Sequence, residues 1–297
     1  MAVRGAIDGL SVNRPAIPGA ASGPWPAPAK LNLFLHVTGR RNDGYHELQT
    51  LFQFLSVADW LYFLPDSSGT VRLATPPVDC TLELDLTLQA ARLLQTHTGS
   101  RAGVTIWNDK RLPVGGGLGG GSSDAATTLM VLNRLWSTGL EINELADMGL
   151  TLGADVPVFV HGHAAVGEGT GEILVPVELL EDWFLVVNPN VSISTAGIFS
   201  DVDLTRDTPR KTIPDLLADG GRNDCEPVVY RRYPEVAAAL NWLNEYSPAR
   251  MTGTGGCVFA AFATESEAQA VADRVPGQWD RFVARGLNRS PLLAALE

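Results

Sequence analysis

The stretch Leu112–Thr127, LPVGGGLGGGSSDAAT, constrains this chain more than any other. Six glycines fall in seven positions, Gly115–Gly117 and Gly119–Gly121, broken only by Leu118. Glycine lets the backbone take positive φ and approach a ligand with no Cβ in the way. Successive amide N–H groups can then point into one concavity that suits an anion. Ser122, Ser123 and Asp124 follow, and then an apolar, helix-forming run, AATTLMVLNRLW. A helix starting at Ser122 to Asp124 adds its free N-terminal amides and the positive end of its dipole. The stretch reads as a phosphate cradle built from backbone. The bland alternative is a flexible linker, but linkers are seldom flanked directly by a strand and by a helix with an apolar stripe.

Several cradles can be told apart. A P-loop needs G-x-x-x-x-G-K-[ST], and no Lys follows these glycines. Gly115-x-Gly117-x-x-Gly120 matches the dinucleotide fingerprint, with Glu141 about 20 residues on. The match is weak, because so dense a glycine run contains almost any spacing. That fingerprint also wants a strand feeding straight into the first Gly, whereas VTIW (Val104–Trp107) is followed by the polar turn NDKRLPV. A protein-kinase loop needs a following V-A-I-K strand, which is absent. What remains is a Gly/Ser-rich loop entering a helix.

Composition narrows the partners. The chain has 297 residues, 45% of them hydrophobic and 19% charged, enough for two modest domains. A net charge of −11 makes it a poor non-specific binder of nucleic acid or membrane surface, so neither is expected as a partner. Anionic phosphates must be held by local design. Cys80, Cys225 and Cys257 show no C-x-x-C spacing, which argues against a disulfide scaffold or zinc ribbon. No apolar run reaches 18 residues, and the cytosol is the expected location. Residues 1–24, rich in Ala, Gly, Pro and Ser, carry no apolar signal-peptide core and read as a loosely ordered extension.

Pro28–Thr38 reads as a strand in which Ala29, Leu31, Leu33, Leu35 and Val37 alternate with Lys30, Asn32, Phe34 and His36. From the pattern alone, the Lys30 and Asn32 face is as well read as solvated as functional. Gly39–His46 is turn-rich and ends in the pair Tyr45-His46. Leu48–Leu55 reads as a second strand with Phe52 on the side of His46 and Thr50. Helices are expected over Leu86–His97, from the glycine loop to Trp136, and from an Asn143 cap to Leu152. Asp155, before Pro157, reads from the residues alone as a cap or turn Asp. His161-x-His163 lacks a third soft ligand, and Gly167–Glu172 reads as a solvated hairpin. Beyond Glu178, a strand (Trp183–Pro189), a short helix at Ser194–Phe199, three amphipathic helices and two more strands point to a small α+β second domain. Thr252–Gly256 is a second glycine turn.

PVGGGLGGGSSDAA resembles the P-x-x-x-G-L-x-S-S-x-A motif of the GHMP kinases. PAKLNLFLHVTGRRNDGYHELQTLFQFL, LGADVPVF and RMTGTGGCVF are similar, in that order, to the branch of that superfamily acting on a cytidine diphosphate-linked methylerythritol. The resemblance runs from about Trp25 to the C-terminus. It implies an α+β, two-domain GHMP kinase fold. The N-terminal nucleotide-binding domain (25–177) would be ribosomal-protein-S5-domain-2-like, and the C-terminal domain (178–297) a ferredoxin-like α/β-plait. It implies ATP and Mg²⁺ as cofactors and a phosphorylated 2-hydroxyl in the non-mevalonate isoprenoid route. A monomer or homodimer is compatible with it.

The resemblance also implies roles. Lys30 and Asp155 would be catalytic. ATP would meet Lys110, Pro113, Gly115, Gly116, Gly117, Leu118, Gly119, Gly120, Gly121, Ser122 and Ser123. The cytidine substrate would meet Asn32, Tyr45, His46, Phe52, Thr195, Phe199, Thr254 and Gly255. Mg²⁺ would bridge the phosphates with the hydroxyl of Ser122 or Ser123; no metal ligand is otherwise assigned. Asp85 stands where the family carries Asn in the adenine pocket, which leaves Lys110 as the better marker of the adenine side. Competing readings are another GHMP kinase such as homoserine kinase, a dinucleotide-dependent oxidoreductase, and a non-catalytic nucleotide-binding homologue.

Overall fold

The structure, a computed structural model, describes residues 16–77 and 81–297. Residues 1–15 of the expected extension and Cys80 lie outside them. The first half comprises β1 (Ser22–Arg40), β2 (His46–Asp66), β3 (Val71–Leu73), α1 (Leu86–Thr98), β4 (Gly103–Asp109), α2 (Gly120–Leu135), α3 (Ile142–Leu152), α4 (Val156–His161), β5 (Ala165–Gly169) and β6 (Ile173–Pro176). The second comprises β7 (Trp183–Asn188), α5 (Thr195–Phe199), α6 (Ile213–Asp219), α7 (Glu226–Arg232), α8 (Pro234–Asn244), β8 (Ala249–Met251), β9 (Val258–Phe262), α9 (Glu265–Ala272), β10 (Asp280–Leu287) and α10 (Pro291–Leu296). The expected break at 177/178 falls in the loop between β6 and β7. Ser22 already pairs with Phe63, so β1 takes in residues 22–24 of the expected extension.

Among the described residues, ten strands join in one sheet. Strand β2 organises it. One edge of β2 pairs with β1 along nearly its whole length, and the other pairs in turn with β5, β10 and β4. That double pairing explains why β2 runs on to Asp66, well past the expected Leu55. The two halves of the sheet meet where β10 pairs with β2, at Gly286↔Leu55 and Leu287↔Phe54.

Strand β1 departs from the half-solvated reading, because both of its faces are buried. Leu31 and Val37 are fully buried, and Lys30 and Asn32 on the other face are 2% and 3% exposed. Helices α2 and α10 pack against it. Helix α2 is buried from Ser123 to Leu132, so it is a central helix. One apolar cluster lies under α1 to α4 and takes in Leu292 of α10, bringing the chain's end back to its first half. A second cluster lies among β7 to β9 and α7 to α9.

Local chemistry moved several boundaries. Helix α2 begins at Gly120, with Gly119 as its cap at φ 74°, before the serines expected to start it. Helix α3 is capped by Glu141, whose N–H donates to Glu144 Oε2 at 2.8 Å, and not by Asn143. Gly167–Gly169 belong to β5 and Thr170–Glu172 turn the chain into β6; Gly167, Gly169 and Gly171 are buried, so the hairpin is not the solvated one expected. The sequence pattern did not reveal α4, α7, β8 or α10.

Candidate functional site

The glycine stretch closes over the N-terminus of α2. Ser123 N–H makes the first helical hydrogen bond, to Gly119 O at 2.9 Å, so the amides of Gly120, Gly121 and Ser122 precede the hydrogen-bonded ladder. Leu118, the residue that interrupts the glycines, is the loop's anchor. It is 1% exposed among Ala29, Leu31 and Leu112, and burying such a side chain contributes about 1.5–3 kcal/mol. Its carbonyl accepts from Lys30 N–H at 3.0 Å, stitching the loop to β1. Glycine is required at Gly119, where φ is 74° and a Cβ would lie 2.7 Å from the Phe159 ring.

Below the loop, Lys30 is buried beside three oxygens. Its Nζ donates to Asn32 Oδ1 and to Gly117 O (3.3 Å), and pairs with Asp155 Oδ2 at 3.2 Å. The Phe52 ring lies 5.6 Å away. Asn32 Nδ2 donates to Thr50 Oγ1 at 2.8 Å, which holds the amide as a brace for Lys30. Asp155 precedes α4 but accepts no hydrogen bond from that helix's amides. The helix-cap reading therefore fails, and the carboxylate, 36% exposed, is available to a ligand.

Lys110 occupies a different position from a free nucleotide contact. Its ammonium is clasped by Asp59 Oδ2 (2.5 Å) and Asp124 Oδ2 (2.7 Å). The other oxygen of Asp59 accepts from Arg111 N–H (2.5 Å) and Leu112 N–H (2.7 Å). This buried triad fixes the turn from β4 into the cradle. A Cβ at Gly120 would sit 3.0 Å from Lys110 Nζ, so the ammonium lies directly beneath the first turn of α2. Burial alone would lower the lysine's pKa, but Asp124 and Asp59 hold it above its ordinary value. Burial, with Asp59 adding to it against the opposing Lys110, raises that of Asp124. Asp85 caps α1, accepting from Leu88 N–H at 3.0 Å, and also lines the cavity beside the glycine loop.

These parts line one cavity of about 510 Å³, which takes in Lys30, Asn32, Phe52, Lys110, Pro113, Gly115–Gly121, Ser122 and Asp155. Thr195, Phe199 and Thr254 line it from the second half of the chain. The hydroxyls of Thr195 and Thr254 meet at 2.8 Å, joining α5 to the second glycine turn. That turn packs on the first, with Thr252 Oγ1 accepting from Asn32 N–H (2.9 Å) and donating to Gly117 O (3.1 Å). Four expected site residues lie off the cavity lining. Ser123 is fully buried with its hydroxyl unpartnered, its amide being used by the helix. Gly255 lies behind Thr254, Tyr45 is 64% exposed, and His46 is 7% exposed behind Phe199. The His46 and Phe199 rings stack at 5.1 Å and 25°. Arg206 Nε donates to His46 Nε2 at 3.0 Å. Burial first, then Arg206 and Arg40, lower the pKa of His46. Asp59, Thr50, Thr252, Asp124 and Arg206 were not singled out from the sequence. Each is an ordinary polar residue whose partner is far along the chain, so no local pattern marks it.

A glycine loop over a helix N-terminus, faced by a buried lysine paired with a part-exposed aspartate, suits phosphoryl transfer. The GHMP kinases N terminal domain matches residues 85–163 and the GHMP kinases C terminal domain residues 206–281, so the chain belongs to the GHMP kinases. It is 55% identical over 273 residues to a 4-diphosphocytidyl-2-C-methyl-D-erythritol kinase from Shewanella loihica, covering 92% of this chain and 96% of that protein. It is 57% identical over 272 residues to one from Pseudomonas paraeruginosa, with the same coverage. A crystal structure of 4-(cytidine 5'-diphospho)-2C-methyl-D-erythritol kinase superposes with a TM-score of 0.77 at 32% identity, covering 88% of this chain and 98% of that one. Methanococcus jannaschii mevalonate kinase, at a TM-score of 0.64, 15% identity and coverage of 88% and 97%, shares the fold. Within the GHMP kinases, the chain is a member of the 4-diphosphocytidyl-2-C-methyl-D-erythritol kinase family.

Proposed function

We propose that this protein transfers the γ-phosphoryl group of ATP to the 2-hydroxyl of 4-(cytidine 5'-diphospho)-2-C-methyl-D-erythritol, giving the 2-phosphate and ADP. The observation that carries this reading is the Lys30–Asp155 pair, 3.2 Å apart, lining the same cavity as the glycine cradle. The identity to relatives bearing that name supports the substrate.

Phosphoryl transfer asks mainly for positioning and charge neutralisation. The amides of the glycine loop and of the first turn of α2 hold the β- and γ-phosphates. Asp155 accepts the proton of the attacking hydroxyl, a role worth about 10²–10⁴ in rate. Lys30, kept in place by Asn32 and Gly117 O, stabilises charge on the transferring group. The hydroxyl of Ser122 is a hard oxygen donor lining the cavity and would suit Mg²⁺. When bound, the ion supplies charge neutralisation between the phosphates. Phe199, His46 and Tyr45 form the base end, and Lys110 supports the nucleotide end from beneath.

The test is ADP release with Mg-ATP and the cytidine substrate, with homoserine and mevalonate offered separately. Release with the cytidine substrate alone is the expected result. Release with homoserine or mevalonate alone would leave the cradle in place and overturn the base end.

A further inference from the structure

We infer that Arg206 is a positioning residue that holds His46 in its neutral Nδ1–H tautomer and so makes it a hydrogen-bond donor toward the substrate's base. A guanidinium has only donors and keeps its charge. Its Nε–H points at His46 Nε2 at 3.0 Å, so that nitrogen must offer a lone pair. The ring's one proton then sits on Nδ1, which has no hydrogen-bond partner among the described residues. Protonating His46 would set N–H against N–H in front of a permanent cation. The lowered pKa of His46 agrees with that geometry.

The same guanidinium is fixed on three backbone carbonyls. Nη2 donates to Phe199 O (2.9 Å) and Asp201 O (2.6 Å), and Nη1 to Leu204 O (3.0 Å). Arg206 therefore joins the segment carrying Phe199 to the start of β2. Phe199, which lines the cavity, stacks on the His46 ring that Arg206 orients. One side chain sets both the apolar wall and the polarity of the group behind it. An Nδ1–H donor favours a base edge bearing an acceptor, such as the O2 or N3 of cytosine, and disfavours an amino group at that point. This inference rests on the proposed substrate for its consequence, but not for the state of the ring.

The two can be tested apart. In the ¹⁵N-histidine-labelled protein without ligand, at neutral pH, long-range ¹H–¹⁵N correlations report which nitrogen carries the proton. The signals of His46 are identified by their loss in His46→Asn. The expected result is a pyrrole-type Nδ1 and a pyridine-type Nε2. In Arg206→Met the two nitrogens should move toward the Nε2–H tautomer that solvated imidazole favours. The KM for the cytidine substrate should rise about tenfold, as for one lost hydrogen bond, with the KM for ATP nearly unchanged. Arg206→Lys, which keeps a donor, should recover part of both effects. A protonated Nε2 in the native protein overturns the inference even if every variant fails to fold. A raised KM in Arg206→Met with the His46 nitrogens unmoved overturns it too, leaving Arg206 only a loop fastener. An Nδ1–H ring in a protein that does not turn over the cytidine substrate would uphold the positioning role and refute the proposed substrate.

Discussion

The two ends of the cavity are built on different principles. The phosphate end is local: Leu118 anchors it, Gly119 turns it and α2 supplies its dipole, all within Leu112–Asp124. The end we propose for the base is lined by Phe199 and backed by His46 and Arg206, which lie 160 residues apart in the chain. A site made of backbone needs only a conformation, and a run of glycines writes that conformation into one stretch. A site made of side chains needs partners, and those come from wherever the fold delivers them. The Lys30–Asp155 pair lies between these extremes, with 3.2 Å across the space and two different motifs in sequence.

Substitutions can break that contrast at either end. The largest effect is expected at Lys110. Lys110→Met leaves the buried Asp59 and Asp124 carboxylates without their shared cation and should lower stability by about 3–5 kcal/mol, read as a shift in the denaturant midpoint. A shift under 1 kcal/mol would show that the triad does not brace the cradle. Lys30→Met should lower kcat by about 10²–10³, comparable to the loss of one charge-stabilising donor. Gly119→Ala forces a side chain to positive φ against Phe159, costs on the order of 1–3 kcal/mol and should weaken ATP more than the cytidine substrate. A variant with unchanged ATP affinity would mean that the cradle tolerates a Cβ. His46→Ala should raise the KM of the cytidine substrate about tenfold and leave the KM of ATP nearly alone.

The smallest effect is in pH. Burial, Arg206 and Arg40 hold the pKa of His46 below its ordinary 6.5. Between those two values the unfolded chain binds more protons than the folded one. The contribution of His46 to stability is therefore present above 6.5 and is lost as pH falls through the folded value. By the same sign, the KM for the cytidine substrate should stay flat as pH drops past 6.5 and rise only as pH falls through the lower folded value. A rise centred on 6.5 would show His46 titrating as a solvated imidazole.

The sequence was most readable where chemistry is carried by backbone and by short motifs. The glycine loop could be read from its spacing, whereas Lys30 was marked only by the family resemblance. The alternation around Lys30 left a solvated face open, because periodicity cannot report that α2 and α10 cover the strand. Asp155 looked like a cap from its place before Pro157; only the absence of a bond to the α4 amides freed it for other work. Lys110 was expected at the nucleotide end from the resemblance, but the two carboxylates that clasp it were not legible. Asp59 lies mid-strand and Asp124 in a helical turn, with nothing local to pair them. Arg206 stayed hidden for the same reason.

The central claim is that chemistry sits at the Lys30–Asp155 pair in front of the cradle, while the base end governs only substrate affinity. The most direct measurement is kcat and both KM values for Asp155→Asn, an isosteric change that removes the proton acceptor. The account predicts a kcat lower by about 10²–10⁴ with both KM values within a fewfold of the native protein's. A kcat near the native value would contradict it, and would move the chemistry away from this pair.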